Sequence, residues 1–326
     1  MGQLDPSAAG SLSRLNPARI CSGDGTVLSP RYKASPGDRQ LNRETGELEQ
    51  VRHDPDATWY KTGDNKVVRG HSFVLIESRS EHEDEIVLLG VRYQRKDEEG
   101  GEGGLAIRMI KELRPLLPGL QGVTWDKALR GKHIDELYTL ELQAVVKVSR
   151  AKSGAVKSQR IGRQTVNGAT TQTVELYARA GAIGIYVIAG GKEHWIKARQ
   201  RKRYLRRDAT GVRWYATYQL PNAAPVPASL RDATFDVRLN GRLDTDPAGL
   251  NRAEVIRPVT ESDDEWKDLY GRRPGSESTN SWFKARLPGR RAPALGAKRN
   301  AFEMLMLQLF ANIRARLAFH KRTSSA

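Results

Sequence analysis

The stretch HSFVLIESRSEHEDEIVLLGVRYQ (71–94) decides the fold class of this chain. Its two apolar runs, at 71–78 and 84–94, are rich in β-branched and aromatic residues and are separated by the polar segment RSEHE. This pattern predicts two antiparallel strands joined by a turn. The sheet therefore starts from a pair of neighbouring strands.

The segments on either side of this pair alternate between strand and helix patterns. ARICSGDGTVL (18–28) predicts a short strand that runs into a turn, and LAIRMIKELRPLL (105–117) has apolar residues near helical period, with Pro115 helping to end the helix. A strand at 120–129, a helix at 131–142 and a strand at 143–150 follow. The order β-β-β-α-β-α-β predicts an α/β fold, with a mixed sheet flanked by helices.

The rest of the chain predicts three further parts. Residues 1–17 are rich in Ser, Gly and Pro, which indicates a flexible arm. Residues 18–150 hold the α/β pattern, 151–257 contain short strand patterns typical of a β-rich insertion, and 258–326 hold closing helices. The last helix has an apolar stripe that we expect to face the core: Phe302, Leu305, Met306, Leu309, Ile313 and Leu317.

The charge of the chain restricts its partners. Among 326 residues there are 54 Lys and Arg against 38 Asp and Glu, a net charge of +16. Such an excess favours polyanions, nucleic acid above all. No apolar run approaches the roughly 18 residues needed to span a bilayer, so no membrane partner is expected. Cys21 is the only cysteine, which excludes intrachain disulfides and zinc–thiolate sites. A single cysteine is typical of a protein in the reducing cytoplasm. Together with the expected nucleic-acid partner, it predicts a cytoplasmic, nucleoid-associated protein.

Three carboxylates are the candidate catalytic residues. Asp24 and Asp126 stand at the ends of predicted strands, where ligands collect in open α/β sheets, and Glu277 lies on or near a late helix. Taken singly, Asp24 suits a turn, Asp126 a helix N-cap and Glu277 a solvated helix face. Taken together, they suit two hard divalent cations that assist phosphodiester chemistry.

A basic stretch within the predicted insertion is the candidate DNA-binding surface. KEHWIKARQRKRYLRR (192–207) carries eight Lys and Arg against one Glu, interleaved with Trp195 and Tyr204 and followed by Trp214 and Tyr215. Phosphate neutralisation combined with stacking on aromatic rings is typical of proteins that grip distorted or single-stranded DNA. The alternative is that the aromatic residues fill the core of the insertion. The predicted contacts in this region are Trp195, Arg201, Lys202, Arg203 and Trp214.

A spacing in DLYGRRPGSESTNSWFKARL (268–287) adds a family resemblance. Tyr270, Arg273, Glu277 and Lys284 match, position for position, the Tyr-Arg-Glu-Lys signature of insertion-sequence DDE transposases. CSGDGTVL resembles the segment that carries the first catalytic Asp of these enzymes, and GVTWDKALRGKHIDELYTLELQAVVKV resembles the segment of the second. Pro274 biases Arg273 away from helical geometry, so the helix that carries Glu277 is expected to begin near Pro274.

The resemblance implies a ribonuclease H-like fold with a β-rich insertion between the second Asp and the Glu. It implies that Asp24, Asp126 and Glu277 bind two Mg²⁺ ions, with Mn²⁺ as a substitute. Tyr270, Arg273 and Lys284 would hold the phosphates of transposon ends. The implied activity is metal-dependent cleavage of double-stranded DNA at those ends and strand transfer into target DNA, by a homodimer in a synaptic complex.

Two alternatives stay open at this stage. A ribonuclease H-like nuclease would hydrolyse DNA without joining it, and strand-transfer products would separate it from a transposase. An inactive, DNA-binding remnant of a transposase would bind DNA without cleaving it. Substitution of Asp126 by Asn would then change neither its DNA affinity nor any activity.

Overall fold

A computed structural model describes most of the chain, namely residues 11–12, 14–61, 66–80, 82, 85–148, 158–168, 171–209, 211–241, 243 and 246–324. These residues form sixteen strands: β1 (Ser11–Leu12), β2 (Ile20–Leu28), β3 (Arg39–Leu41), β4 (Leu48–Gln50), β5 (Thr58–Lys61), β6 (Val67–Arg79), β7 (Ile86–Gln94), β8 (Gly122–Trp125), β9 (Gln143–Val146), β10 (Ser158–Asn167), β11 (Thr171–Arg179), β12 (Ala182–Ala189), β13 (Lys192–Lys197), β14 (Arg199–Asp208), β15 (Gly211–Gln219) and β16 (Thr234–Arg238). They also form six α-helices: α1 (Gly101–Leu113), α2 (Gly131–Thr139), α3 (Arg252–Val255), α4 (Asp264–Tyr270), α5 (Pro274–Arg286) and α6 (Ala297–Ser324).

The fold is mixed α/β, as predicted, and the chain divides into two compact units. The first unit comprises Met1–Cys21 and Ile110–Arg272, and the second comprises Ser22–Met109 and Arg273–Ala326. The boundaries fall inside β2, inside α1 and directly before α5. This division groups 110–150 with the segment predicted to be an insertion, so it cuts across the predicted domain boundaries.

The first unit contains a parallel strand pair and a large antiparallel sheet. β8 and β9 are parallel, with Gly122 opposite Gln143 and Trp125 opposite Val146. The hydroxyl of Thr124 on β8 donates to the carbonyl of Cys21, at the start of β2. The antiparallel sheet has the strand order β1-β14-β15-β16-β10-β11-β12-β13, and most of its strands fall within 151–257, where the sequence indicates strands.

A core cluster in the first unit also fixes part of the predicted N-terminal arm. Leu15 is 2% exposed and packs in a cluster with Ile20, Val145, Val259, Trp266 and Leu269. The backbone N–H of Leu15 donates to Glu265 Oε1 (2.6 Å). Residues 14–17 are therefore attached to the unit, so this part of the flexible-arm prediction is wrong. Residues 1–10 and 13 of the predicted arm lie outside the described residues.

The second unit is built on β6, which pairs with β7 and β5 and neighbours β2. Phe73 lies opposite Tyr93, and the β6–β7 register shifts between Ile76 and Glu77. β5 pairs with the beginning of β6. The core of this unit joins strand and helix residues: Leu28, Phe73, Leu75, Leu88, Phe283, Leu287, Ala292 and Met304. β6 and β7 are thus the antiparallel strands that the sequence predicts at 71–94.

The position of α6 corrects one sequence prediction. The stripe expected to face the core is exposed: Phe302 is 60% exposed, Leu309 52% and Leu317 63%. The opposite face, which includes the buried Met304 and Ala315, packs instead. Small residues on that face let the helix approach the sheet closely, whereas periodicity alone does not show which of two apolar faces turns inward.

No helix in the described ranges is both long enough and apolar enough to cross a lipid bilayer.

Candidate functional site

Asp24 lies in the middle of β2, whereas the sequence predicted it at the end of a strand. Glycines on both sides suggested a turn, but the strand continues from Ile20 to Leu28. The side chain of Asp24 is only 17% exposed. Because Gly25 has no Cβ, the carboxylate of Glu102, in the first turn of α1, lies directly against the strand backbone there. Asp24 is therefore held at a fixed place in the second unit.

Glu277 is placed by the start of α5. This helix begins at Pro274, as predicted, with Arg273 as its N-cap and Glu277 in its first turn. A carboxylate in the first turn interacts favourably with the helix dipole. Arg273 Nη1 donates to Glu277 Oε1 (2.6 Å), and Arg273 Nη2 lies 3.9 Å from Asp24 Oδ1. The structure therefore brings two of the predicted carboxylates to one guanidinium.

Asn280 is a site residue that the sequence analysis missed. Its side-chain N–H donates to Asp24 Oδ2 (2.9 Å), and the residue is 7% exposed. Its Oδ1 atom is buried and has no hydrogen-bond partner in the part of the chain that the structure describes. Asn280 is three residues after Glu277 and four before Lys284, so the helical offsets of the signature contained the signal for it.

Lys284 completes this face of α5. Burial lowers the pKa of its ammonium group, and the negative charge of Asp24 acts in the opposite direction. An amine that is partly desolvated and lies in the field of a carboxylate is suited to receive an additional anion, since a phosphate would replace the missing hydration.

Glu77 is a second residue that the sequence did not reveal. It lies on β6, is 1% exposed, and accepts hydrogen bonds from the hydroxyls of Ser22 (3.3 Å), Ser276 (3.3 Å) and Thr279 (2.5 Å). Burial raises the pKa of its carboxyl group above the ordinary 4.5, although the hydroxyls and Arg79 oppose this shift. One buried carboxyl group thus fastens α5 to β2 and β6, and so sets the distance between Glu277 and Asp24.

The raised pKa of Glu77 gives the first testable prediction. The folded state holds this proton more tightly than the unfolded chain, so the associated stability is present below pH 4.5 and falls as the pH rises toward the folded pKa. The Glu77→Gln variant lacks this titration. Urea unfolding at a series of pH values should show wild type losing stability relative to the variant as the pH rises above 4.5. The exposed Glu47→Gln serves as control, and a parallel pH profile for wild type and Glu77→Gln would contradict the assignment.

Asp126 directly follows β8, at the strand end where the sequence predicts it. Its Oδ1 accepts a hydrogen bond from the backbone N–H of Ala128 (2.7 Å). α2 begins at Gly131 with Arg130 as N-cap, so Asp126 does not cap that helix. Asp126 belongs to the first unit, whereas Asp24 and Glu277 belong to the second. That the three carboxylates share one site stays a prediction.

Tyr270 is the last residue of α4 in the first unit. Its ring stacks on Trp266, with 4.4 Å between centroids and 13° between planes, and Lys147 Nζ lies 5.2 Å from the Tyr270 centroid. α4 has Asp263 as its N-cap, and Glu265 bonds to Leu15 and Arg203. Packing on Trp266 therefore orients Tyr270, and the neighbouring Lys147 could also attract a phosphate.

The structure sorts the predicted DNA-binding residues into exposed and buried groups. Arg201 and Lys202 are exposed on β14, where the register with β15 shifts between Gln200 and Lys202. Trp195 is half-buried and packs against Tyr186, with centroids 5.3 Å apart. These three side chains keep the solvent access that a DNA contact needs.

Arg203 and Trp214 are corrections to the predicted surface. Arg203 is fully buried, donates to the carbonyl of Pro258 (3.1 Å) and forms an ion pair with Glu265 (2.9 Å). Trp214 is 3% exposed, and its indole N–H donates to the carbonyl of Tyr138 (3.3 Å). Since alternate residues of a strand face opposite sides, a basic run necessarily turns some cations inward. Both residues therefore stabilise the core of the first unit.

Two half-buried tyrosines and two exposed cations form a cluster on β14 and β15. Tyr204 and Tyr215 stack with 5.5 Å between centroids and 12° between planes. The guanidinium of Arg206 lies 5.2 Å and 4.8 Å from these two rings, and Lys202 Nζ lies 5.6 Å from the Tyr204 ring. The sequence indicated all four aromatic residues and favoured the two tryptophans, whereas the two tyrosines are the ones that lie against Lys202 and Arg206.

Within the described residues, no three His, Cys, Asp or Glu side chains lie together in a way that could hold a metal ion. Comparison with protein-family models and with curated proteins gives no match for this chain.

Proposed function

We propose that this chain is the catalytic part of a DDE transposase, which cleaves DNA and joins the freed end to a target. The observation that carries the proposal is the position of Arg273, which lies 2.6 Å from the Glu277 carboxylate and 3.9 Å from that of Asp24. These two acids are remote in sequence and come from β2 and α5. When a DNA phosphate binds the Arg273 guanidinium, the carboxylates of Asp24 and Glu277 would become available to bind metal ions in its place.

The strand arrangement supports a ribonuclease H-like fold for the catalytic part. Three strands, β2, β6 and β7, come first in the predicted pattern, and β6 neighbours both of the others. The parallel pair β8 and β9 follows, with α2 between them, and the start of β2 neighbours β8. This element order is the one that the family resemblance implies.

The oxygen atoms at the site suit a hard divalent cation. Asp24 and Glu277 supply carboxylates, and the buried Oδ1 of Asn280 is an acceptor without a partner among the described residues. Asp126 would supply the third carboxylate from the first unit. Two Mg²⁺ ions, or Mn²⁺, would activate an attacking oxygen and stabilise the leaving one when bound.

The remaining signature residues position the DNA backbone. Arg273 offers a planar fork that suits bidentate contact with a phosphate, and the partly desolvated Lys284 offers a point charge. Tyr270 presents a ring edge fixed by Trp266. Phosphoryl transfer depends mainly on positioning and charge neutralisation, and these groups supply both.

The test is a cleavage and joining assay with the full chain. Purified protein is incubated with a supercoiled plasmid and a labelled linear duplex, in Mg²⁺ or Mn²⁺. The proposal predicts metal-dependent nicks and covalent joining of the labelled duplex to the plasmid. Nicks without joining would favour the hydrolytic nuclease, and DNA binding without either product would favour the inactive remnant.

The exposed cations of the cluster on β14 and β15 are expected to contribute to DNA affinity. Replacing Lys202 or Arg206 with Gln should reduce the slope of log K against log salt by about 1 for each phosphate that the variant no longer neutralises. Lys96→Gln, an exposed lysine of the other unit, should leave the slope unchanged. Fluorescence anisotropy with a labelled duplex at several salt concentrations measures this, and equal slopes for all variants would rule out the cluster as a DNA-binding surface.

A further inference from the structure

α6 is apolar on two opposite faces. Its inner face packs on β7, where Gln308 and Asn312 donate to the carbonyl of Leu88 (2.9 Å each) and Leu88 donates to Asn312 Oδ1 (2.8 Å). The small residues Ala301 and Ala311 pack on the same side. This face is completed by contacts within the second unit, so the helix needs no further apolar surface to stay attached.

The outer face carries most of the large side chains of the helix. Residues at offsets of 3, 4, 7, 11 and 15 from the first member share one side of a helix. The exposed set follows these offsets closely: Phe302 (60% exposed), Leu305 (50%), Met306 (45%), Leu309 (52%), Phe310 (49%), Ile313 (48%) and Leu317 (63%). We call this set the outer stripe.

The outer stripe is too large to be an ordinary scatter of surface residues. Seven half-exposed side chains leave on the order of 600 Å² of apolar area uncovered, given the roughly 150–250 Å² of one large aromatic side chain. A patch of this size usually marks an interaction site. A helix that is apolar all round is normally covered on all sides.

We propose that the outer stripe binds the outer stripe of a second copy of this chain, with the two α6 helices antiparallel. Two copies would together bury about 1,000 Å² or more, which reaches the lower limit for a specific interface. The stripe from Phe302 to Leu317 is about 22 Å long and lies in the middle of α6, so it is its own complement under a two-fold axis.

The charges along α6 select the antiparallel arrangement. The half beyond the stripe's centre carries Arg314, Arg316, Lys321 and Arg322 and no acid, whereas the first half carries Lys298, Arg299 and Glu303. A parallel pair would bring the two strongly cationic halves together, and an antiparallel pair keeps them apart. Opposed helix dipoles favour the same arrangement.

One acid–base pair fixes the register. Glu303 and Arg314 are both exposed and are eleven residues apart, which is three turns, so they lie on the same side of α6. Their midpoint is within about one residue of the midpoint of the outer stripe. In the antiparallel pair, Glu303 of each copy therefore faces Arg314 of the other.

The first experiment measures self-association of the full chain by sedimentation velocity between about 1 and 100 µM, the range expected of a small interface. Wild type should approach twice the mass of one chain. Leu309→Glu should weaken association by about 100-fold or more, since two carboxylates would enter the apolar centre. Ile188→Glu, at a residue that is 82% exposed in the first unit, is the matched control and should associate like wild type. A wild-type protein that stays monomeric at 100 µM would overturn the proposal.

The second experiment tests orientation and register. Glu303→Arg should weaken association, and the double variant with Arg314→Glu should restore it. Leu309→Cys, at the two-fold axis, should form a crosslinked dimer on oxidation, whereas Phe302→Cys should not, because its counterpart is near Leu317. Cys21 does not interfere, since it is 1% exposed and burial raises the pKa of its thiol to about 12. Equal crosslinking at 302 and 309, or no rescue by the double variant, would overturn the antiparallel register. The proposal stands independently of the proposed DNA chemistry, because association is measured on the protein alone, without DNA or metal.

Discussion

The Asp24→Asn variant is expected to lose metal-dependent DNA cleavage by about 1,000-fold or more and to keep its DNA affinity. The substitution preserves the size of the side chain, and removes the negative charge that faces Arg273 at 3.9 Å and that Asn280 orients at 2.9 Å. Without that charge β2 lacks the carboxylate that is proposed to bind metal, whereas Arg273 keeps its ion pair with Glu277 (2.6 Å). Initial rates of plasmid nicking and anisotropy with a labelled duplex measure the two quantities separately.

Asp97→Asn is the matched control for this substitution. Its carboxylate belongs to the same unit, is 71% exposed and pairs at the surface with Arg95 (3.1 Å). Cleavage by this variant should equal that of wild type. Full cleavage by Asp24→Asn would show that β2 does not carry a catalytic acid.

The Glu265→Leu variant is expected to destabilise the protein by about 3–5 kcal/mol, the largest stability change that we predict. Nη2 of the fully buried Arg203 donates to both carboxylate oxygens of Glu265, at 2.9 and 3.1 Å, and the backbone N–H of Leu15 also donates to Glu265. Its removal takes away the carboxylate that pairs with this buried guanidinium charge. Urea unfolding followed by circular dichroism measures the change.

Two further variants test the physical reason. The double variant Arg203→Met and Glu265→Leu should recover much of the stability, because neither charge is then buried alone. Asp268→Asn removes only the exposed ion pair with Arg14, and should cost less than about 1 kcal/mol. If Glu265→Leu unfolded at the wild-type urea concentration, the assignment of Arg203 to the core would be wrong.

The sequence predicted the fold class because local patterns determine it. The apolar strands at 71–94 and the helix that follows them differ in period, and Pro274 marks the start of α5 by a rule that needs no tertiary information. Asp24 was misplaced because Gly23 and Gly25 favour a turn locally, whereas the neighbouring strand β6 keeps the backbone extended. Propensity was overridden here by pairing with a distant segment.

Side-chain burial was the less predictable part of the site. Arg203 and Arg201 lie in the same basic segment of the sequence. Arg203 turns inward because of the alternation of side chains along β14 and because of its ion pair with the remote Glu265. Glu77 and Asn280 depend on contacts between β2, β6 and α5, which no local pattern reveals. The outer stripe of α6 has the periodicity of a core face. It is exposed because the opposite face of the helix packs on β7.

The most direct test of the central proposal is to map where a bound divalent ion lies. Fe²⁺ replaces Mg²⁺ in the presence of DNA. Ascorbate with peroxide then generates hydroxyl radicals, which cut the polypeptide backbone of the protein near the ion. We expect cuts in the polypeptide close to Asp24, Asp126 and Glu277, all suppressed by excess Mg²⁺ and all weakened by Glu277→Gln. Cuts near Asp24 and Glu277 without any near Asp126, or cuts that Mg²⁺ does not suppress, would contradict a shared metal site formed by these three carboxylates.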